Sequence, residues 1–150
     1  NIKTRNEALA LLAQGTTIVV FPAGGVATSP TVFGRAVDLP WKSFTARMIL
    51  ASKAQVLPLY FEGQCSPLFH LISKLSLTLR LSTIIREFRR NVGRPLKVHV
   101  GRLIPFSEIP SGNDRRALMQ FLYERVHAMS GMELADVRAR MARLPAYLRD

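Results

Sequence analysis

The sequence predicts an α/β fold, a mostly parallel sheet flanked by helices. Short runs rich in β-branched residues alternate with longer stretches of helical period. Two of the runs, Thr16–Phe21 and Gln55–Phe61, end in glycine-containing turns and are separated by enough chain for a crossover helix. Apolar residues make up 48% of the 150, enough for one domain to bury a core and too many for a disordered chain.

The elements follow in order. Thr4, with Glu7 three residues on, has the form of a capping box for a first helix, and Ala8, Leu9, Leu11 and Leu12 give it a buried face. Gly15 stops it. Ile18, Val19 and Val20 make Thr16–Phe21 a buried strand. Pro22 lacks an N–H and cannot continue a ladder, and Gly24 and Gly25 allow a tight turn or a close approach to a ligand. Pro22–Pro40 is a long loop, a length that is usually functional. A helix runs from Ser43 to about Lys53, with Phe44, Met48 and Ala51 on neighbouring turns. The second strand, Gln55–Phe61, holds Pro58, so its pairing is locally broken or one-sided, and it ends at Glu62-Gly63.

Ser66–Arg90 reads as helix, in one or two pieces, with an apolar side and a basic side of Arg80, Arg86, Arg89 and Arg90. Such a helix either covers the sheet or lies in a membrane interface. From Pro95, Leu96–Gly101 alternates like a third strand. Pro110, Gly112 and Asn113 mark a break. Helices follow from Asp114 to about Met129 and from Met132 to Arg143, interrupted by Gly131 and stopped at Pro145. Residues 1–106 are expected to form the α/β part, and 107–150 a helical extension packed on it.

Phe21-Pro22-Ala23-Gly24-Gly25-Val26-Ala27, followed by Leu57-Pro58-Leu59, resembles the third and fourth blocks of the glycerophosphate and lysophospholipid acyltransferases. Those blocks commonly read Phe-Pro-Glu-Gly-Thr-Arg-Ser and Val-Pro-Val. The resemblance covers roughly residues 1–104. It implies an acyl transfer from a thioester, on coenzyme A or acyl carrier protein, to a lysophospholipid, glycerol phosphate or related lipid acceptor, with no cofactor. It also implies a peripheral location on the cytoplasmic face of a membrane. Ala23, Gly25 and Val26 stand where the family has Glu, Thr and Arg. Val26 cannot give a phosphate the charge-assisted bonds of an Arg, so either the acceptor differs or another cation serves. Arg35 and Lys42 lie in or just beyond the same loop and are the candidates.

The family's chemistry rests on a His-x4-Asp block before the Phe-Pro block, in which the His takes the acceptor's proton. Leu75, Ile104 and Met132 stand five residues after His70, His99 and His127, so no such pair exists here. All three histidines also follow the Phe-Pro block. Residue 1 is Asn. These observations together suggest the C-terminal part of an acyltransferase domain whose catalytic pair lies upstream. No catalytic residue is expected within these 150. The substrate-binding candidates are Phe21, Pro22, Ala23, Gly24, Gly25, Val26, Glu62, Gly63, Arg35 and Lys42.

Glu62, at the end of a strand, either bonds the acceptor or the Phe21–Ala27 loop or steadies its own turn. His70 reads as a packed histidine, and His99 and His127 as exposed, with nothing pairing with them in a catalytic pattern. Cys65 is alone, so no internal disulfide forms. No zinc spacing, Gly-x-Ser-x-Gly elbow or phosphate-binding Gly-x4-Gly-Lys motif is present. No apolar run approaches the roughly 18 residues of a membrane span.

The net charge is +11, and Lys74–Arg102 alone holds eight basic residues against Glu87. That field favours an anionic partner, and with the apolar side chains of Leu68–Arg102 it predicts peripheral binding to anionic membranes. Nucleic acid is the alternative partner, in a basic binding or interaction module. It is disfavoured because only Phe88 interleaves the richest basic run, whereas single-strand binders stack bases on several aromatics.

Overall fold

Helices dominate the computed structural model, which describes residues 2–110 and 114–149. The expected break at Gly112 and Asn113 lies outside the described residues. Helix α1 spans Ile2–Ala13, so Thr4 lies inside it and is not its cap. Gly15 ends it with a φ of 78°. Helix α2 spans Phe44–Ser52 and packs against α1. The long basic segment divides into α3 (Pro67–Ile72) and α4 (Leu77–Asn91). Ser66 caps α3, its hydroxyl accepting from the Phe69 N–H. Helix α5 spans Arg115–His127 and α6 spans Leu134–Ala142, and Gly131, at φ 69°, turns the chain between them.

The described residues form one sheet, of two strands. Strand β1 (Leu59–Phe61) pairs antiparallel with β2 (Val98–Val100), Tyr60 lying opposite His99. Val56 and Ile104 extend the pairing by two backbone bonds, past the interruption that Pro58 imposes. Thr16–Phe21 is extended but joins no ladder among the described residues. Val19 and Phe21 are 67% and 69% exposed, so this stretch is not the buried strand that its β-branched run predicts. Propensity gives the extended course; burial needs a neighbouring strand, and none of the described residues supplies one.

The main core joins the two parts of the chain. Ala46 and Ile49 of α2 pack with Ile104 and Ile109 and with Leu118, Met119 and Leu122 of α5. Burying a side chain such as Leu118, 1% exposed, contributes about 1.5–3 kcal/mol relative to leaving it in water. A second cluster holds Val37, Tyr123, Val137 and Leu144. Trp41 packs against both clusters and so ties the end of the long loop to α5.

Candidate functional site

The Phe-Pro segment forms a tight turn. The Phe21 carbonyl accepts from the Gly24 N–H at 3.0 Å, with Pro22 and Ala23 between them. Proline at the second position and glycine at the fourth suit this geometry. Gly24 has a φ of 63°, which side chains with a β-carbon rarely adopt. Two ties hold the turn. The Lys42 N–H donates to the Pro22 carbonyl at 2.9 Å. Beyond the turn, Thr28 and Val37 exchange two backbone bonds of 3.1 and 2.9 Å and close the neck of the loop. The Phe21 ring lies 6.0 Å from that of Phe61, which brings the turn to the end of β1.

Beside the turn opens a cavity of about 1550 Å³. Its walls come from residues 15–27, from Trp41 and the α2 side chains Met48 and Ile49, from residues 54–61, and from Leu77, Leu81 and Ile84 of α4. Most of these groups are apolar, so the space suits a hydrocarbon chain better than a polar metabolite. Arg80 is the α4 cation on this wall. It is only 3% exposed; its Nη2 donates to the Val26 carbonyl, and its guanidinium lies 5.1 Å from the centre of the Phe69 ring. Its Nη1 is buried without a hydrogen-bond partner, and no carboxylate pairs with it among the described residues. Burial pulls its pKa down from the usual arginine value, with Tyr147 and Cys65 acting the other way. An arginine buried without an anion carries a desolvation cost that a bound anion would offset.

Of the residues singled out in the sequence, Phe21–Val26, Lys42 and Gly63 border the cavity. Glu62 and Arg35 do not. Glu62 faces across the ladder to β2, its carboxylate 3.1 Å from His99 Nε2 and 3.8 Å from Lys97 Nζ. The His99 bond, then Lys97, holds its pKa below the ordinary carboxylate range. Arg35 instead donates to the Ser130 carbonyl at 2.9 Å, bracing the loop against the turn after α5.

The histidines divide differently from the sequence reading. His99 is exposed but has a carboxylate partner, because strand register sets Tyr60 opposite it and Glu62 nearby. His127 is 3% exposed, not a surface residue. It stacks on Tyr123 at 3.8 Å, and its Nδ1–H donates to the Tyr123 carbonyl at 2.9 Å. His70 is fully buried, as its packed reading predicts. Its Nδ1 accepts from the Ser29 N–H at 3.3 Å and lies 3.2 Å from the Thr28 hydroxyl. That assigns the ring proton to Nε2 and leaves no lone pair open to take another. His70 is therefore a brace beneath the loop and not a base.

Sequence reasoning missed the inward placement of Arg80 and Glu87. The helical pattern places Arg80 on a basic side with Arg86, Arg89 and Arg90. Glu87, 5% exposed, accepts from the Ser66 N–H at 2.8 Å and from the Ser66 hydroxyl. Burial alone would raise its pKa, but the two Ser66 bonds, with Arg90 and Arg86, hold it below the usual value. The available signal was the spacing: Arg80, Thr83 and Glu87 share one helical face.

A family model described as an acyltransferase matches residues 5–135. The chain belongs to that acyltransferase family. No curated protein and no solved structure matches it.

Proposed function

We propose that this chain is the substrate-holding part of a lipid acyltransferase. In this reading an acyl group passes from a thioester of coenzyme A or acyl carrier protein to a lysophospholipid, glycerol phosphate or related lipid acceptor. The observation that carries the proposal is the large apolar cavity meeting the Phe21–Gly25 turn. The cavity takes the hydrocarbon chain, and the turn borders the position where a polar head would lie. Arg80 supplies a cation there. It is bonded to the carbonyl of Val26, the residue that stands where the resembling family has its arginine, and a phosphate would give its Nη1 the missing partner.

The chemistry needs a base for the acceptor's proton as its oxygen attacks the thioester carbonyl and the thiolate leaves. His70 is committed to buried bonds and His99 faces Glu62 outside the cavity, while His127 borders the cavity with its Nδ1–H held by the Tyr123 carbonyl and not by the Asp of a His-x4-Asp pair. In this reading the base is the His of a His-x4-Asp pair upstream, as the resemblance implies, and the 150 residues alone should give no acyl turnover. The same proposal retains the mostly parallel sheet, in which Thr16–Phe21 would pair with a further strand. It also retains the cytoplasmic membrane face as the place of reaction.

Trp41 is the sole tryptophan and lines the cavity, so its emission reports occupancy directly. Titration with a lysophosphatidic acid should shift Trp41 emission saturably. Arg80→Gln should weaken that lipid by about ten- to a hundredfold, the loss of one charge-assisted bond of roughly 1.5–3 kcal/mol. The same variant should leave a neutral monoacylglycerol nearly unaffected. Equal weakening of both lipids would assign Arg80 to packing alone. Absence of any lipid response at Trp41 would overturn the cavity reading.

A further inference from the structure

Helix α4 is inside out. Its inward face carries Arg80 and Glu87, 3% and 5% exposed. Its outward face carries Leu77, Leu81, Ile85 and Phe88, continued by Val92 at the helix end. These five follow one another at intervals of four, four, three and four residues, which draws a single stripe along the helix. Ile85 and Phe88 are 68% and 71% exposed, and the other three exceed half. A helix folding only against its own domain would turn this stripe inward. Here Ser66 bonds Glu87 and the Val26 carbonyl bonds Arg80 Nη2 on the buried polar side, and the apolar side has no cover among the described residues.

The charges say what covers it. Arg86, Arg89, Arg90 and Arg94 are all exposed, on or just beyond α4, and Arg89 lies next to the stripe. Glu87, the sole acid between Leu77 and Arg94, is buried. The outward side of α4 is therefore apolar and purely cationic. A neutral protein surface would not call for that combination. An anionic bilayer does, since the stripe enters the acyl region while guanidinium groups meet headgroup phosphates. Leu77 and Leu81 at the start of the stripe also border the cavity, so a membrane against α4 would lie at the cavity's edge.

We infer that the outward face of α4 seats the protein on an anionic membrane and sets the cavity mouth against the lipid. Membrane seating does not depend on the acyl-transfer reading; only the fate of the lipid that enters does.

The test is co-sedimentation of the full chain with phosphatidylcholine vesicles and with vesicles containing 30% phosphatidylglycerol (roughly the charge of an anionic membrane). Binding should be stronger to the anionic vesicles and should weaken with salt. Arg86→Gln and Arg89→Gln should each lower anionic binding about fivefold. The double variant Ile85→Glu, Phe88→Glu alters exposed positions, so its circular dichroism should be unchanged while vesicle binding is lost. Two results overturn the inference. One is vesicle binding that survives the double variant. The other is no vesicle binding, with a dimer that the double variant dissolves or with tight nucleic-acid binding in its place. Because no turnover is measured, loss of Trp41 response with vesicle binding intact would count against the acyl-transfer reading alone.

Discussion

Gly24 shows how one backbone angle shapes the site. A β-carbon built on it meets nothing within 4 Å, so no protein atom excludes a side chain. The constraint is φ 63°, where a non-glycine residue is strained by roughly 1–2 kcal/mol. Gly24→Ala should therefore lower stability by about that amount in a urea titration. Gly24→Val adds a β-branched side chain in the turn that borders the cavity and should also reduce ligand response at Trp41 beyond the alanine variant. Identical binding by wild type and the valine variant would remove the turn from the site. Gly25 differs, since a β-carbon there would lie 2.8 Å from the Leu39 side chain, and Leu39 would have to move.

At the scale of elements, the features set by neighbouring residues were legible and those set by distant ones were not. Asp114 as the start of α5 could be read directly, and its side chain accepts from the Arg116 and Ala117 N–H groups at 2.8 and 3.1 Å. Asp114→Ala should cost about 1 kcal/mol, measurable by chemical denaturation. A neutral result would mean that solvent satisfies those amides equally well. The division of Ser66–Arg90 into two helices was among the readings the sequence left open. The orientation of α4 was not legible, because an amphipathic pattern shows that two faces differ without saying which is inward. Its direction depends on Ser66 and Val26, residues far along the chain. Thr16–Phe21 failed as a buried strand for a similar reason, since pairing is a property of two segments. Of the candidate site, the Phe21–Val26 turn was legible through its proline and glycines, whereas Arg80 was hidden among other arginines.

Across the whole molecule, buried histidines set the response to acid. Burial lowers the pKa of His70, against the pull of Glu87 and with the push of Arg80 and Lys74. Burial also lowers that of His127, against its bond to the Tyr123 carbonyl and the charge of Asp38. Both stay neutral to a lower pH in the fold than in the unfolded chain, where they take up protons below about pH 6.5. Their stabilising effect is complete above that value and is lost as pH falls towards their folded values. A further loss begins below about pH 4.5, where Glu62, Glu87 and Glu108, all lowered in the fold, must be protonated. Denaturation midpoints should therefore fall between pH 7.5 and 5. His127→Gln should flatten that decline by up to one proton's worth, about 1.4 kcal/mol per pH unit. A midpoint unchanged over that range would contradict the buried neutral state.

The closed neck between Thr28 and Val37 also bears on how the polypeptide can be divided. The loop it closes carries Phe33 at its tip, 88% exposed, while Thr28 and Val37 are 1% and 2% exposed. Chymotrypsin should nick the native protein after Phe33 before it reaches the core. The two pieces should stay together, because the neck bonds, the His70 brace and the packing of α1 on α2 all join one piece to the other. The peptide bond at Phe33 is thus dispensable for holding the particle together, and a chain reopened there, with new ends at the tip, should assemble from two separately made fragments.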